Sequence, residues 1–214
     1  FGIMDRYARD HKSFGARKVF INTIPGHFLK ADDRRKLTHC YGPLMDKVVF
    51  ELTEQDTVSE AELSAIRQLC AEIDLSLSAR YAAVSELFAP YTNNGAIAID
   101  DYGTGHSNIV NLLRYTPQVI KIDRYLVQEI CKSQNKQLFV RNVVEFAKLN
   151  GILTLAEGVE TSNELHQLID LGIDLIQGYY TGRPQPNPMT NLPDDIRREI
   201  LAANPTFAQQ GQLH

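Results

Sequence analysis

Six short apolar runs, rich in Val, Ile and Phe, each end in a polar or charged residue, and this recurrence limits the folds open to the chain. Val19-Phe20-Ile21 runs into Asn22, and Val48-Val49-Phe50 into Glu51 and then Glu54. Ala96-Ile97-Ala98-Ile99 meets Asp100-Asp101, and Val119-Ile120 leads to Lys121 and Asp123. Ile152 to Ala156 leads to Glu157 and Glu160, and Leu175-Ile176 leads to Gln177. Runs this short suit strands buried on both faces.

Helical patterns lie between the runs. Gln137 to Asn150 sets Leu138, Val140, Val143, Val144, Phe146, Ala147 and Leu149 on a broad apolar face, and Gly151 stops it. Thr161 or Ser162 caps a helix carrying Leu165, Leu168, Ile169 and Leu171, stopped by Gly172. Alternating strands and helices predict an α/β fold with a parallel sheet. In a TIM (β/α)8 barrel, function collects at the C-terminal ends of the strands, where these polar residues fall.

The pair Asp100-Asp101 carries the most chemistry. Adjacent carboxylates at the edge of a buried strand are costly unpaired. Neighbours in a strand point to opposite faces, so both reach one site only where the chain bends. Gly103 and Gly105 permit the bend. Like charges held close call for a cation between them. A solvated Asx-turn is the plainer alternative, and the recurrence of acidic strand ends argues against it.

The chain has 214 residues and a net charge of −4. That suffices for one barrel or sandwich with a real core. No basic tract suggests polymeric nucleic acid, and no apolar stretch reaches membrane-spanning length. Cys40, Cys70 and Cys131 are odd in number and widely spaced, as expected of reduced, cytoplasmic cysteines. The histidines show no ligand spacing and read as surface residues, with His106 in a loop-packing role.

Five motifs in order are now on the page: Glu51-Leu52-Thr53-Glu54, Asp100-Asp101-Tyr102-Gly103-Thr104-Gly105, Lys121-Ile122-Asp123, Ala156-Glu157-Gly158-Val159-Glu160-Thr161, and Gln177-Gly178-Tyr179 with Gly182-Arg183-Pro184. Together they resemble the EAL-domain family of cyclic di-GMP phosphodiesterases. The resemblance runs from Phe20 to about Pro186, and it implies a modified TIM barrel. It further implies that Asn22, Glu51 and Asp100 ligate one divalent ion. Asp100, Asp101, Asp123 and Glu157 would surround a second, with Asp100 bridging. Lys121 would position the attacking water or a phosphate oxygen, and Glu157 would act as general base. Glu54 would anchor the Asp-Asp-Tyr-Gly loop, while Asp101, Glu160, Gln177 and Tyr179 would line the substrate site.

The expected reaction is hydrolysis of cyclic di-GMP to linear pGpG, with two Mg²⁺ or Mn²⁺ ions about 3.5–4 Å apart. A non-hydrolysing receptor or scaffold is the alternative. A homodimer and an upstream sensor or GGDEF domain are implied partners. The Glu-Ala-Leu tripeptide itself is absent from the chain. It is expected on a strand before Phe1, so the first one or two barrel strands and part of the metal shell are expected to be missing. Residues 1–203 form the expected domain and 204–214 a tail.

The connection from Glu51 to Asp100 is longer than the family's usual one and long for a compact domain. Residues 57–94 read as a lengthened barrel helix pair opened by a capping box at Ser59 and Glu62. A partner surface is the alternative, and burial of Tyr81, Leu87 and Phe88 within the monomer would remove it.

Overall fold

The computed structural model describes residues 4–9, 18–22, 39–41, 44, 48–53, 59–61, 64–65, 68, 96–104, 112–113, 117–186, 189 and 191–204. The chain divides into two compact units, Phe1–Ala98 with Ile109–Pro117, and Ile99–Asn108 with Gln118–His214.

In the first unit, β1 (Val19–Asn22) and β2 (Val48–Thr53) pair in parallel. Val48, Val49, Phe50, Glu51 and Leu52 are all buried. Burial on both faces is the pattern the short apolar run predicts. The register sets Val19 against Val48 and Asn22 against Glu51, so the two polar strand ends are neighbours across the ladder. Residues 4–9 are helical, with Met4 and Tyr7 buried, an element the sequence reading does not anticipate. Glu60 and Ala61 are helical immediately after Ser59, where the capping signal begins. Tyr81, Leu87 and Phe88, and most of 57–94, lie outside the described residues.

The third strand, β3 (Ala96–Tyr102), begins in the first unit and ends in the second. The second unit then continues through β4 (Val119–Ile122), α1 (Arg124–Val127), a 3-10 turn at Ile130–Lys132, and α2 (Gln134–Leu149). It proceeds to β5 (Leu153–Ala156), α3 (Ser162–Leu171), β6 (Leu175–Ile176) and α4 (Asp194–Ala203). β4 pairs in parallel with β5, and β5 with β6. The parallel α/β class therefore holds.

Helix α2 starts three residues before its apolar pattern, because Ser133 accepts a hydrogen bond from the Lys136 amide and caps it. Its buried stripe, Val140, Val143, Val144 and Ala147, is narrower than the sequence suggests. Leu138 is exposed, and Leu149, in the last turn, is 88% exposed. Helix α3 is capped by Thr161 in a reciprocal box with Glu164, and it ends on Gly172 at φ 82°. Ile130, Leu165 and Leu168 are fully buried where these helices meet. Each contributes about 2–3 kcal/mol of apolar burial. Among the described residues, no helix is long and apolar enough to cross a membrane. Cys40 and Cys131 are free thiols on the surface, and Cys70 lies outside the described residues.

Candidate metal centre

At the end of β3 the backbone turns at Asp101 itself, whose φ is 55°. The bend thus falls on the second carboxylate rather than only on the glycines after it. Aspartate tolerates this left-handed conformation better than most residues. The turn cancels the strand alternation that would separate neighbouring side chains. Asp100, Asp101 and Glu157 consequently each offer a carboxylate oxygen within 4.8 Å of the others. The turn is closed by Thr104, whose hydroxyl donates to the Asp101 carbonyl at 3.1 Å. Gly103 follows at φ 111°, and a Cβ there would stand 2.2 Å from Leu126 Cδ1. Gly105 and His106 lie outside the described residues.

Lys121 enters the cluster from β4, where every residue is buried. Its Nζ lies 2.6 Å from Asp100 Oδ1 and 2.8 Å from Glu157 Oε1. Glu157 directly follows β5, and its amide donates to the Ile122 carbonyl at 3.0 Å. Burial pushes its carboxyl upward; Lys121 opposes this, and the charges of Asp100 and Asp101 reinforce it. Asp101 is also raised, by burial first and then by Asp100 and Asp123. Both shifts come chiefly from burial, and the neighbouring carboxylates add to them.

Asp123 serves a different local purpose. Its carboxylate accepts from the Tyr125 amide at 2.7 Å and caps α1. Its charge also raises the Asp101 carboxyl, so it borders the cluster beside that residue. Glu160 pairs with Arg124 at 2.8 Å on the surface. A Cβ on Gly158 would stand 2.4 Å from Arg124 Cγ, so this arginine lies flat against the loop after β5.

The loops after β5 and β6 are laced together. The Gln177 amide donates to Ala156 at 2.9 Å, Val159 donates to Gln177 at 3.2 Å, and Tyr180 donates to Val159 at 3.0 Å. A Cβ on Gly178 would stand 2.1 Å from the Val159 carbonyl oxygen, so only glycine permits this approach. The Gln177 side chain is exposed. Tyr179 is 53% exposed and carries the Arg183 guanidinium 4.7 Å from its ring centre.

Among the predicted site residues, the structure thus brings together Asp100, Asp101, Lys121 and Glu157, with Asp123 alongside. Glu160, Gln177 and Tyr179 sit on the adjoining loops. Asn22 and Glu51 are described in the first unit, where Glu51 is buried and Asn22 exposed. Glu54 lies outside the described residues.

Sequence reasoning missed Arg124 and Glu164. Buried Glu164 accepts from the amides of Glu129 at 2.9 Å and of Glu160 and Thr161 at 3.0 Å. It fixes the end of the 157–161 loop. The Thr-x-x-Glu spacing from Thr161 was its signal; Arg124 had none, because its partner is 36 positions away.

The donor set fits a divalent cation. Carboxylate oxygens are hard ligands, suited to Mg²⁺, Mn²⁺ or Ca²⁺. Burial and neighbouring carboxylates both disfavour the charged forms of Asp101 and Glu157, and a cation among these oxygens would offset that.

The model of the EAL domain family matches residues 7–184. The chain is 33% identical over 174 residues to the probable cyclic di-GMP phosphodiesterase PdeN of Escherichia coli (strain K12), covering 79% of this chain and 29% of that protein. It therefore spans less than a third of that relative's length. A standalone versatile EAL protein from Vibrio cholerae O395, in c-di-GMP bound form, matches with TM-score 0.68 at 24% identity, over 91% of this chain and 76% of that one. That likeness shows the fold. The Klebsiella pneumoniae BlrP1 manganese/cy-diGMP complex at pH 9.0 matches with TM-score 0.59 at 30% identity, over 85% of this chain and 43% of that one.

Proposed function

The chain belongs to the EAL domain family, and on that premise we propose that it hydrolyses cyclic di-GMP to linear pGpG with the help of divalent ions. The observation that carries this reading is the convergence of Asp100, Asp101 and Glu157 around the buried Lys121 ammonium. Asp100, Asp101 and Glu157 would hold the ions, with Asn22, Glu51 and Asp123 as the further ligands the family resemblance implies. Bound there, Mg²⁺ or Mn²⁺ would neutralise the phosphoryl oxygens and make a water molecule more acidic.

The chain's own residues supply the rest. Glu157 would accept the proton of the attacking water. Lys121 orients Glu157 through their ion pair and adds positive charge beside the phosphoryl group. Water oxygen bonds to phosphorus, the bond to the 3′ oxygen breaks, that oxygen takes up a proton from solvent water, and Glu157 returns the proton it accepted to solvent. Glu160, Gln177 and Tyr179 line the approach, Tyr179 offering an exposed ring to a guanine base. The proposed setting is a cytoplasmic signalling protein in which this domain works beside a GGDEF or sensor module and a second copy of the chain.

The deciding experiment incubates the full-length parent protein with cyclic di-GMP and Mg²⁺ or Mn²⁺ and follows pGpG. Glu157→Gln is expected to abolish turnover and keep nucleotide binding. Tight binding without turnover in the unaltered protein would instead establish a receptor.

A further inference from the structure

We infer that Glu199, on the C-terminal helix α4, is a positioning residue that clamps the two loops bordering the metal centre, an assignment that rests on the phosphodiesterase reading above. One carboxylate gathers three donors. Its Oε2 accepts the Tyr180 hydroxyl at 2.7 Å. Its Oε1 accepts the Ser162 hydroxyl and lies 3.0 Å from His166 Nε2.

The positions of those donors give the contact its meaning. Ser162 opens α3 directly after the 157–161 loop, which carries Glu157 and Glu160. Tyr180 sits in the loop after β6, three positions beyond Gln177 and next to Tyr179. Its amide already donates to Val159, and Gly178 packs on the Val159 backbone. The two loops therefore touch each other on one side and are tied to the same carboxylate on the other. Glu199 is well placed to hold them, being only 22% exposed. Hydrogen bonds from Ser162 and Tyr180 hold it below the usual carboxylate range, so it stays an acceptor for all three groups. The Tyr180 hydroxyl is raised chiefly by the same bond and stays a donor.

A general docking role for α4 is separable. The apolar anchor of the helix is the buried Ile196, one turn before Glu199. Ile196→Ala loosens the helix and spares the three polar contacts. Glu199→Ala spares the anchor and releases Ser162 and Tyr180.

The test uses the full-length parent protein with cyclic di-GMP and Mn²⁺. Glu199→Ala is expected to raise KM about 10-fold with a smaller fall in kcat, since Glu160, Gln177 and Tyr179 move with the loops while Glu157 keeps its own ion pair with Lys121. Glu199→Gln, whose carbonyl still accepts from one hydroxyl, is expected to recover most of that loss. Ile196→Ala is expected to lower Tm and leave KM alone. An unchanged KM in Glu199→Ala, or an equal rise in Ile196→Ala, overturns the assignment. Hydrogen exchange supplies a readout independent of turnover: amides in 158–162 and 178–182 are expected to exchange faster in Glu199→Ala. If the unaltered protein shows no turnover, the enzyme reading fails, and the clamp stands or falls on that exchange alone.

Discussion

Lys121 Nζ lies 2.6 Å from Asp100 Oδ1 and 2.8 Å from Glu157 Oε1, a buried ammonium on β4 bridging carboxylates from the ends of β3 and β5, the strands on either side of its own. Removing it leaves those carboxylates, with Asp101 beside them, facing one another in a water-poor site. Lys121→Met is therefore expected to cost about 3 kcal/mol of stability without metal, measured by urea unfolding. Mn²⁺ is expected to raise the Tm of the variant more than that of the unaltered protein, because an ion replaces the missing charge. Turnover of cyclic di-GMP is expected to fall at least about 100-fold. Wild-type stability and rate in this variant would remove Lys121 from the centre.

Chelation tests the donor set itself. EDTA is expected to abolish turnover, and Mg²⁺ or Mn²⁺ to restore it. Ca²⁺ is expected to occupy the site and inhibit, since its larger and looser shell places water less strictly. Asp100→Asn keeps the shape and removes a charge from the cluster. It is expected to weaken Mn²⁺ binding, read by isothermal titration, by about 10-fold or more. Unaltered affinity would mean that the ion binds elsewhere.

Glu164 gives a prediction about acid stability. Burial alone would raise its carboxyl, but the amides of Glu129, Glu160 and Thr161 outweigh it and hold the group below its ordinary value of 4.5. The folded protein binds this proton more weakly than the unfolded chain does. The stability so gained is fully present above 4.5 and drains away as the pH falls through the lower, folded value. In Glu164→Gln, whichever way the amide is turned, its NH₂ faces a backbone donor. The variant is expected to lose about 2 kcal/mol at neutral pH. The difference from the unaltered protein is expected to shrink under acid. A difference independent of pH in urea titrations would contradict the assignment.

The strand ends were legible because each apolar run is short and stops abruptly on a polar residue, as at Ile99-Asp100 and Ala156-Glu157. Helix α3 was legible for a local reason too, with Thr161 and Gly172 marking its limits. Helix α2 was blurred at both ends. Its first turn, Gln134-Asn135-Lys136, carries no apolar signal, and Leu149 extends the apolar pattern past the last buried contact. The left-handed turn at Asp101 was not legible, because the sequence offered glycines as the cheaper place for it. Long-range polar contacts were hidden altogether. Glu199 meets Ser162 across 37 positions and Tyr180 across 19, and no periodicity in a single sequence encodes such a pairing.

Gly178 offers the sharpest steric test of how the site wall is built. Its place in the Gln177-Gly178-Tyr179 motif reads as a recognition feature in the sequence, yet its structural role is to let two backbones approach. A Cβ there would meet Val159 O at 2.1 Å, Val159 N at 2.3 Å and Val159 C at 2.7 Å. All three are backbone atoms, so no rotamer change relieves the clash, and the ladder between Gln177, Val159 and Tyr180 must open. Gly178→Ala is expected to cost about 2–3 kcal/mol, since it overpacks a tight contact and strains paired hydrogen bonds. It is also expected to raise KM, because Tyr179 and Gln177 move with the loop. Gly151→Ala is the control: no atom lies within 4 Å of its Cβ, and only its φ of +66° is unfavourable. That change is expected to cost about 1 kcal/mol and leave KM untouched. Equal losses in the two variants would show that the Val159 contact is not what requires glycine at 178.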